Sequence, residues 1–156
     1  MAQEIERKFL VISDSWRSQA AAKLYRQGYI ATARAGQSVR VRTVGKIGYL
    51  TIKGPTQGLT RAEFEYAIPV NDAQEMLETL CLKPLIEKNR YRLPIGNVVW
   101  EIDEFKGENA GLIVAEVELA SESQPFEKPD WLGKEVSGEA RYYNASLVKH
   151  PYSQWL

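Results

Sequence analysis

Pairs of like charges recur along this chain at alternate positions, the spacing that places side chains on one face of a β-strand. The doubled carboxylates are Glu4 and Glu6, Glu63 and Glu65, and Glu116 and Glu118. The doubled cations are Arg40 and Arg42, and the run Lys88, Arg90 and Arg92. Because like charges at this spacing repel each other, the pattern indicates that an oppositely charged ligand completes each set.

The two sets favour different ligands. Clustered carboxylates suit a hard divalent cation such as Mg²⁺ or Mn²⁺. Clustered arginines and lysines suit phosphate, because the guanidinium fork matches phosphate oxygens. A ligand with several phosphates and a bound metal would satisfy both sets together. The same residues also fit a second arrangement, in which the charged face of a sheet is solvated and carries cross-strand ion pairs.

The elements that must position these charges are mostly strands. Alternation predicts eight of them, at 4–11, 24–32, 38–44, 49–53, 58–69, 87–94, 99–106 and 112–120. Helical spacing or capping residues predict short helices at 16–22, 71–81, near Trp131 and at 143–149. The fold class is therefore α+β with a dominant antiparallel sheet. Eight strands are enough to close into a barrel, with a charged interior and the helices packed outside.

Composition limits the possible functions. The 156 residues suit one domain, 1–156. Lys+Arg and Asp+Glu both number 20, which argues against a nucleic-acid or anionic-membrane partner. Apolar runs fall short of the roughly 20 residues that span a bilayer. The lone Cys81 fits a reducing compartment, so we expect a cytoplasmic protein. One histidine, His150, makes a histidine metal site or a Ser–His nucleophile improbable.

The chain resembles the CYTH superfamily, the triphosphate tunnel metalloenzymes. Residues 4–8, Glu-Ile-Glu-Arg-Lys, match the ExExK signature of that family. The resemblance continues through segments 40–42, 51–53, 63–65, 88–92, 101–103, 116–118 and 143–147. It implies an eight-stranded antiparallel tunnel that binds a small-molecule triphosphate together with divalent metal, Mg²⁺ or Mn²⁺, as two ions.

The resemblance also implies roles for individual residues. The phosphate chain would be held by Lys8, Arg40, Arg42, Lys53, Lys88 and Arg90. The metal would be held by Glu4, Glu6, Glu63, Glu65, Asp103, Glu116 and Glu118. Lys8 and Tyr29 would act together as catalytic residues near the attacked phosphorus. An aromatic residue that simply fills the barrel end is the alternative role for Tyr29.

Several activities remain open within this family. The start EIERKFLV and the compact chain resemble the short bacterial branch, for which hydrolysis of inorganic tripolyphosphate is implied. A class IV adenylate cyclase is the alternative, with Tyr25, Tyr49 or Trp100 as the residue that would stack on adenine. A thiamine or nucleoside triphosphatase, and a polyphosphate-binding module without turnover, are further alternatives. The sequence leaves open whether the protein forms a homodimer.

Overall fold

The computed structural model describes residues 2–155, and within them the chain is mainly β-strand. The strands are β1 Gln3–Val11, β2 Lys23–Thr32, β3 Ser38–Val44, β4 Ile47–Lys53, β5 Thr60–Ile68, β6 Ile86–Ile95, β7 Val98–Phe105, β8 Ile113–Glu118 and β9 Leu132–Glu135. The helices are α1 Val70–Thr79 and α2 Asn144–Lys149, with 3₁₀ turns at Arg17–Gln19, Gly107–Asn109, Ala140–Tyr142 and Tyr152–Gln154. No helix within residues 2–155 is long and apolar enough to cross a membrane.

Eight of the strands form a closed antiparallel barrel, as the sequence predicts. Their order is β5-β4-β3-β2-β6-β7-β8-β1, and β1 pairs back with β5. The closing contact places Gln3 opposite Ala62 and Ile5 opposite Thr60. Beyond this contact, the second half of β1 pairs with β9 on the same edge. The length of β1 therefore lets one strand both close the barrel and support the added strand.

Alternation along each strand sorts charged and apolar side chains between the two faces of the barrel. In β1, Glu4 and Lys8 line the interior cavity, whereas Ile5 and Phe9 belong to an apolar cluster outside the barrel wall. In β3, Arg40 and Arg42 line the same cavity while Val41 packs against α1. The charged face is thus turned inward, and the solvated-face arrangement is wrong.

Among residues 2–155, three apolar clusters cover the barrel from outside. The largest packs the rings of Trp16, Trp100 and Trp131 against the outer faces of β1, β7 and β8. A second surrounds Leu147 of α2, and a third sets Leu77 of α1 against β3. A packed apolar face in a barrel whose interior is polar must be covered on the outside, and these segments provide that cover.

Two predicted helices are wrong. The segment near Trp131 forms β9 instead, where Gly133 lies so close to β1 that a Cβ atom there would fall 3.0 Å from the carbonyl oxygen of Leu10. The predicted helix at 16–22 is reduced to the 3₁₀ turn Arg17–Gln19. Its position is set by Trp16, which is fully buried and donates its indole N–H to the carbonyl of Ser13 at 2.7 Å.

Candidate active site

The barrel interior holds a cavity of about 440 Å³. Its lining includes the loop after β2, the loop after β4 and the C-terminal segment that contains α2. The charged side chains of the barrel strands that line it are Glu4, Glu6, Lys8, Arg40, Arg42, Lys53, Arg61, Lys88, Arg90 and Glu116. Acids and cations that are far apart in the sequence therefore share one enclosed space, where the low dielectric strengthens their interactions with a ligand.

Three carboxylates from three strands converge on one point. Glu4 of β1, Glu63 of β5 and Glu118 of β8 each offer an oxygen, and these oxygens lie within 4.8 Å of one another. Burial and the neighbouring carboxylates of Glu4 and Glu63 raise the pKa of Glu118. The Lys53 ammonium lies 2.7 Å from Glu4 and 3.4 Å from Glu63, so one cation partly offsets three acids. This oxygen donor set fits a hard divalent cation.

A second acidic pair lies beside the first group. Burial, Glu116 and Glu4 raise the pKa of Glu6 well above its usual range. In contrast, Lys8, Arg90 and Lys88 outweigh burial and hold the pKa of Glu116 well below its usual range. Without a ligand, the two neighbouring carboxylates therefore differ in how readily they ionise. A divalent cation bound beside them would favour the ionised form of both.

Lys8 is held by three neighbours beside this pair. Its ammonium lies 3.4 Å from Glu116, donates to the carbonyl of Tyr142 at 3.2 Å and lies 5.5 Å from the ring centroid of Tyr143. Burial works against its charge, but Glu116, Glu6 and Asp103 outweigh burial and raise the pKa of Lys8. Lys8 is therefore a fixed positive charge at the cavity wall.

Two arginines of β3 line the cavity with their hydrogen-bonding capacity only partly used. The guanidinium of Arg40 donates from Nη2 to Thr51 at 3.2 Å, but its buried Nε has no hydrogen-bond partner within residues 2–155. Arg42 donates from Nε to the side-chain oxygen of Gln27 at 2.8 Å. Burial and the neighbouring Arg40 and Arg90 lower the pKa of Arg42 to about 9. A buried donor without a partner and a destabilised cation both favour an anionic ligand.

Asp103 occupies a different environment from the other predicted metal ligands. Its side chain is fully buried and accepts two hydrogen bonds from Arg90, at 2.7 and 2.9 Å. The Lys88 ammonium lies 2.8 Å from the same carboxylate. Arg90 and Lys88 outweigh burial and lower the pKa of Asp103. Both of its oxygens therefore face cations, and Asp103 is outside the group formed by Glu4, Glu63 and Glu118.

Lys88 carries the least stable charge of the site. Burial lowers the pKa of Lys88 to about 7, and the positive charges of Arg90 and Arg42 act in the same direction. Asp103 opposes this shift only in part. An anion in the cavity would restore the full charge of Lys88.

Glu65 and Tyr29 lie at the margins of the site. A carboxylate oxygen of Glu65 accepts a hydrogen bond from Thr51 at 3.0 Å and lies 3.5 Å from Arg40. Tyr29 lines the cavity and also packs in the apolar cluster that contains Leu147. Within residues 2–155, no hydrogen bond joins Tyr29 to Lys8; the ring nearest the Lys8 ammonium is that of Tyr143.

Sequence reasoning assigned no role to two polar residues that hold the cations. Gln27 and Asn144 connect Arg42 and Lys88 through hydrogen bonds. The alternation of Tyr25, Gln27 and Tyr29 places Gln27 on the interior face. An uncharged polar residue between two tyrosines on that face is the sequence feature that could have indicated its role. Trp100, suggested as a platform for adenine, is wrong for that role because it is fully buried in the outer apolar cluster.

The fold and the site together define an antiparallel barrel protein whose interior contains carboxylates together with arginines and lysines. The chain belongs to the CYTH family, because the CYTH domain model matches residues 2–152. It is 52% identical over 155 residues to an inorganic triphosphatase of Acetivibrio thermocellus, and the match covers 99% of each chain. It is 39% identical to an inorganic triphosphatase of Nitrosomonas europaea, over 93% of this chain and 96% of the relative.

Solved structures agree on the fold. The crystal structure of an inorganic triphosphatase superimposes with a TM-score of 0.64 at 35% identity, covering 92% of this chain and 96% of that chain. A Bacillus halodurans protein proposed to be an adenylate cyclase also has a TM-score of 0.64, at 17% identity, with 83% of this chain and 97% of that chain covered. At that identity the likeness shows the shared fold alone.

Proposed function

We propose that this protein hydrolyses inorganic triphosphate to phosphate and pyrophosphate with a divalent metal, Mg²⁺ or Mn²⁺. The observation that carries the proposal is that one cavity in the barrel brings cations whose donors are free or held by neutral groups next to carboxylates. The full-length similarity to inorganic triphosphatases supports the same substrate. Location in the cytoplasm and formation of a homodimer remain predictions.

The cations would bind and orient the phosphate chain. Arg40 and Arg42 have donors that the protein leaves free or holds by neutral groups, so these donors are available for phosphate oxygens. Arg90 and Lys88 are held in place by salt bridges to Asp103. We therefore propose that Asp103 acts as the counterion of these two cations, and that the metal is held by other acids.

The remaining acids would hold the metal. Glu4, Glu63 and Glu118 form the first group, and Glu6 with Glu116 forms the second, while Glu65 lies beside Arg40 at the edge. A divalent ion bound there would supply charge neutralisation on the phosphate oxygens and activation of water. Lys8 would place a fixed positive charge against the phosphoryl group under attack, where negative charge develops.

The reaction has a simple balance. A water oxygen forms a bond to the terminal phosphorus, the anhydride bond to the bridging oxygen breaks, and pyrophosphate leaves with the electron pair of that bond. The proton released by water passes to solvent or to a cavity carboxylate. The role of Tyr29 as a partner of Lys8 stays a proposal, with Tyr143 as the aromatic neighbour that the geometry places beside Lys8.

An activity panel tests the proposal. Purified protein is given tripolyphosphate, ATP, thiamine triphosphate and pyrophosphate with Mg²⁺ or Mn²⁺, and both phosphate and cyclic AMP are measured. We expect the highest kcat/KM for tripolyphosphate, loss of turnover in EDTA and recovery when metal is restored. Glu4→Gln should abolish turnover, and Glu127→Gln, an exposed acid remote from the cavity lining, is the matched control. Cyclic AMP as the main product from ATP would instead establish the cyclase.

A further inference from the structure

A buried amide connects the phosphate-facing cations to the C-terminal helix. Gln27 is fully buried in β2, and its side-chain oxygen accepts the hydrogen bond from Nε of Arg42 at 2.8 Å. Its side-chain nitrogen donates to Oδ1 of Asn144, at the start of α2, at 3.3 Å. The same oxygen of Asn144 accepts a hydrogen bond from Nζ of Lys88 at 3.0 Å. The orientation of the Gln27 amide is therefore set by a donor on one side and an acceptor on the other.

Arg42 differs from the other cavity cations in its partner. Lys53, Lys8 and Arg90 each lie within 3.4 Å of a carboxylate. Arg42 forms no salt bridge within residues 2–155, and its contacts are the Gln27 amide and the ring of Tyr25, whose centroid lies 4.9 Å from the guanidinium carbon. The protein thus holds this guanidinium in one place with groups that do not cancel its charge.

The choice of an amide over a carboxylate has a physical consequence. A carboxylate at the Gln27 position would lie about as far from Arg42 as the amide oxygen does and would form a buried ion pair with it. Such a pair is strong in a low-dielectric interior, and an incoming anion would have to compete with it. A neutral acceptor holds the geometry and leaves the attraction for the ligand.

We propose that Gln27 is a positioning residue that sets the affinity for triphosphate by fixing Arg42 without neutralising it. Through Asn144 it also fixes the ammonium of Lys88, so that one amide aligns two phosphate-binding groups from different strands. This inference rests on the proposed function, because triphosphate is the anion that the aligned cations would bind.

Two substitutions of Gln27 separate positioning from simple packing. Gln27→Glu keeps the shape and places a carboxylate against Arg42. Its hydrogen bond to Asn144 is lost, because the Asn144 oxygen stays on Lys88, and the new ion pair with Arg42 offsets that loss. We expect the KM for tripolyphosphate to rise at least tenfold, kcat to change less than threefold, and the melting temperature without ligand to stay at or above that of the wild type. Gln27→Met keeps the length but removes both hydrogen bonds; it should raise the KM and lower the melting temperature. Gln74→Glu on the exposed face of α1 adds the same charge away from the cavity lining, and it should change neither the KM nor the melting temperature.

The readouts distinguish this inference from the proposed function. Wild type without turnover of tripolyphosphate would refute the proposed function itself. Wild-type turnover together with a KM for Gln27→Glu within twofold of the wild type would overturn the inference, as would a loss confined to kcat. If Gln27→Glu does not fold, Gln27→Met decides: a lower melting temperature with an unchanged KM would mean that Gln27 serves packing alone.

Discussion

Replacing Asp103 with Asn distinguishes a counterion from a metal ligand. The substitution keeps the shape of a fully buried side chain but removes the negative charge that faces Arg90 and Lys88. Removing one partner of a buried ion pair typically costs about 3–5 kcal/mol, because the other charge is left buried and unpaired. In a chain of this size about 1 kcal/mol corresponds to roughly 2–4 °C, so the melting temperature should fall by roughly 6–20 °C.

The loss of stability in Asp103→Asn should depend on pH, and the pKa of Lys88 determines whether it is larger at low or at high pH. Its pKa is lowered to about 7 in the folded protein, so at pH 8 Lys88 can give up its proton and leave mainly Arg90 uncompensated. At pH 6 Lys88 binds its proton in the wild type, and the substitution leaves two cations uncompensated. The decrease in stability should therefore be larger at pH 6 than at pH 8, measured by thermal unfolding in EDTA without phosphate.

The matched control is Glu63→Gln, which removes a carboxylate of the proposed metal group. Glu63 is partly exposed and lies 3.4 Å from Lys53, so its loss should change stability by about 0–1 kcal/mol. It should, however, reduce the rise in melting temperature that Mg²⁺ or Mn²⁺ produces in the wild type. If Asp103→Asn is instead within about 1 kcal/mol of the wild type and loses the response to metal, Asp103 is a ligand and the counterion account is wrong.

Two other predictions concern ligand-free electrostatics. The pKa of Glu118 is raised in the folded protein, so its ionisation costs stability as the pH rises above the unfolded pKa of about 4.3. Glu118→Gln should therefore raise the melting temperature of the metal-free protein at pH 7, leave it unchanged at pH 3.5 and reduce the rise that metal produces. A melting temperature below that of the wild type at pH 7 would contradict this account. Binding of tripolyphosphate in EDTA at pH 8 should be accompanied by proton uptake, because Lys88 regains its charge. Calorimetry in two buffers of different ionisation enthalpy measures this uptake. Equal proton uptake by Lys88→Met would show that the protons bind to another group.

Much of the barrel could be predicted because strand periodicity is local. The charged residues that alternate with apolar ones in β1, β3 and β6 were placed on one face, and Glu4, Glu6, Arg40, Arg42, Lys88 and Arg90 line the cavity together. The direction of a side chain in a strand depends only on whether its position is odd or even. β9 could not be predicted in this way. Its four residues, Leu132–Glu135, include a glycine and show too little alternation, and they form a strand only because the edge of β1 is available.

The charged residues of the site show the same difference between what is local in the sequence and what depends on the whole fold. The sequence by itself determined which residues face the interior and that acids and cations would be doubled there, because these properties depend on residue type and on a period of two. Only the tertiary structure decided the partners. Strand register places Asp103 opposite Arg90, where it forms a buried salt bridge. Glu4, Glu63 and Glu118 instead converge from three strands that meet only when the barrel closes. Contacts across a closed barrel depend on register and curvature, which are properties of the whole sheet and are absent from any one segment of the chain.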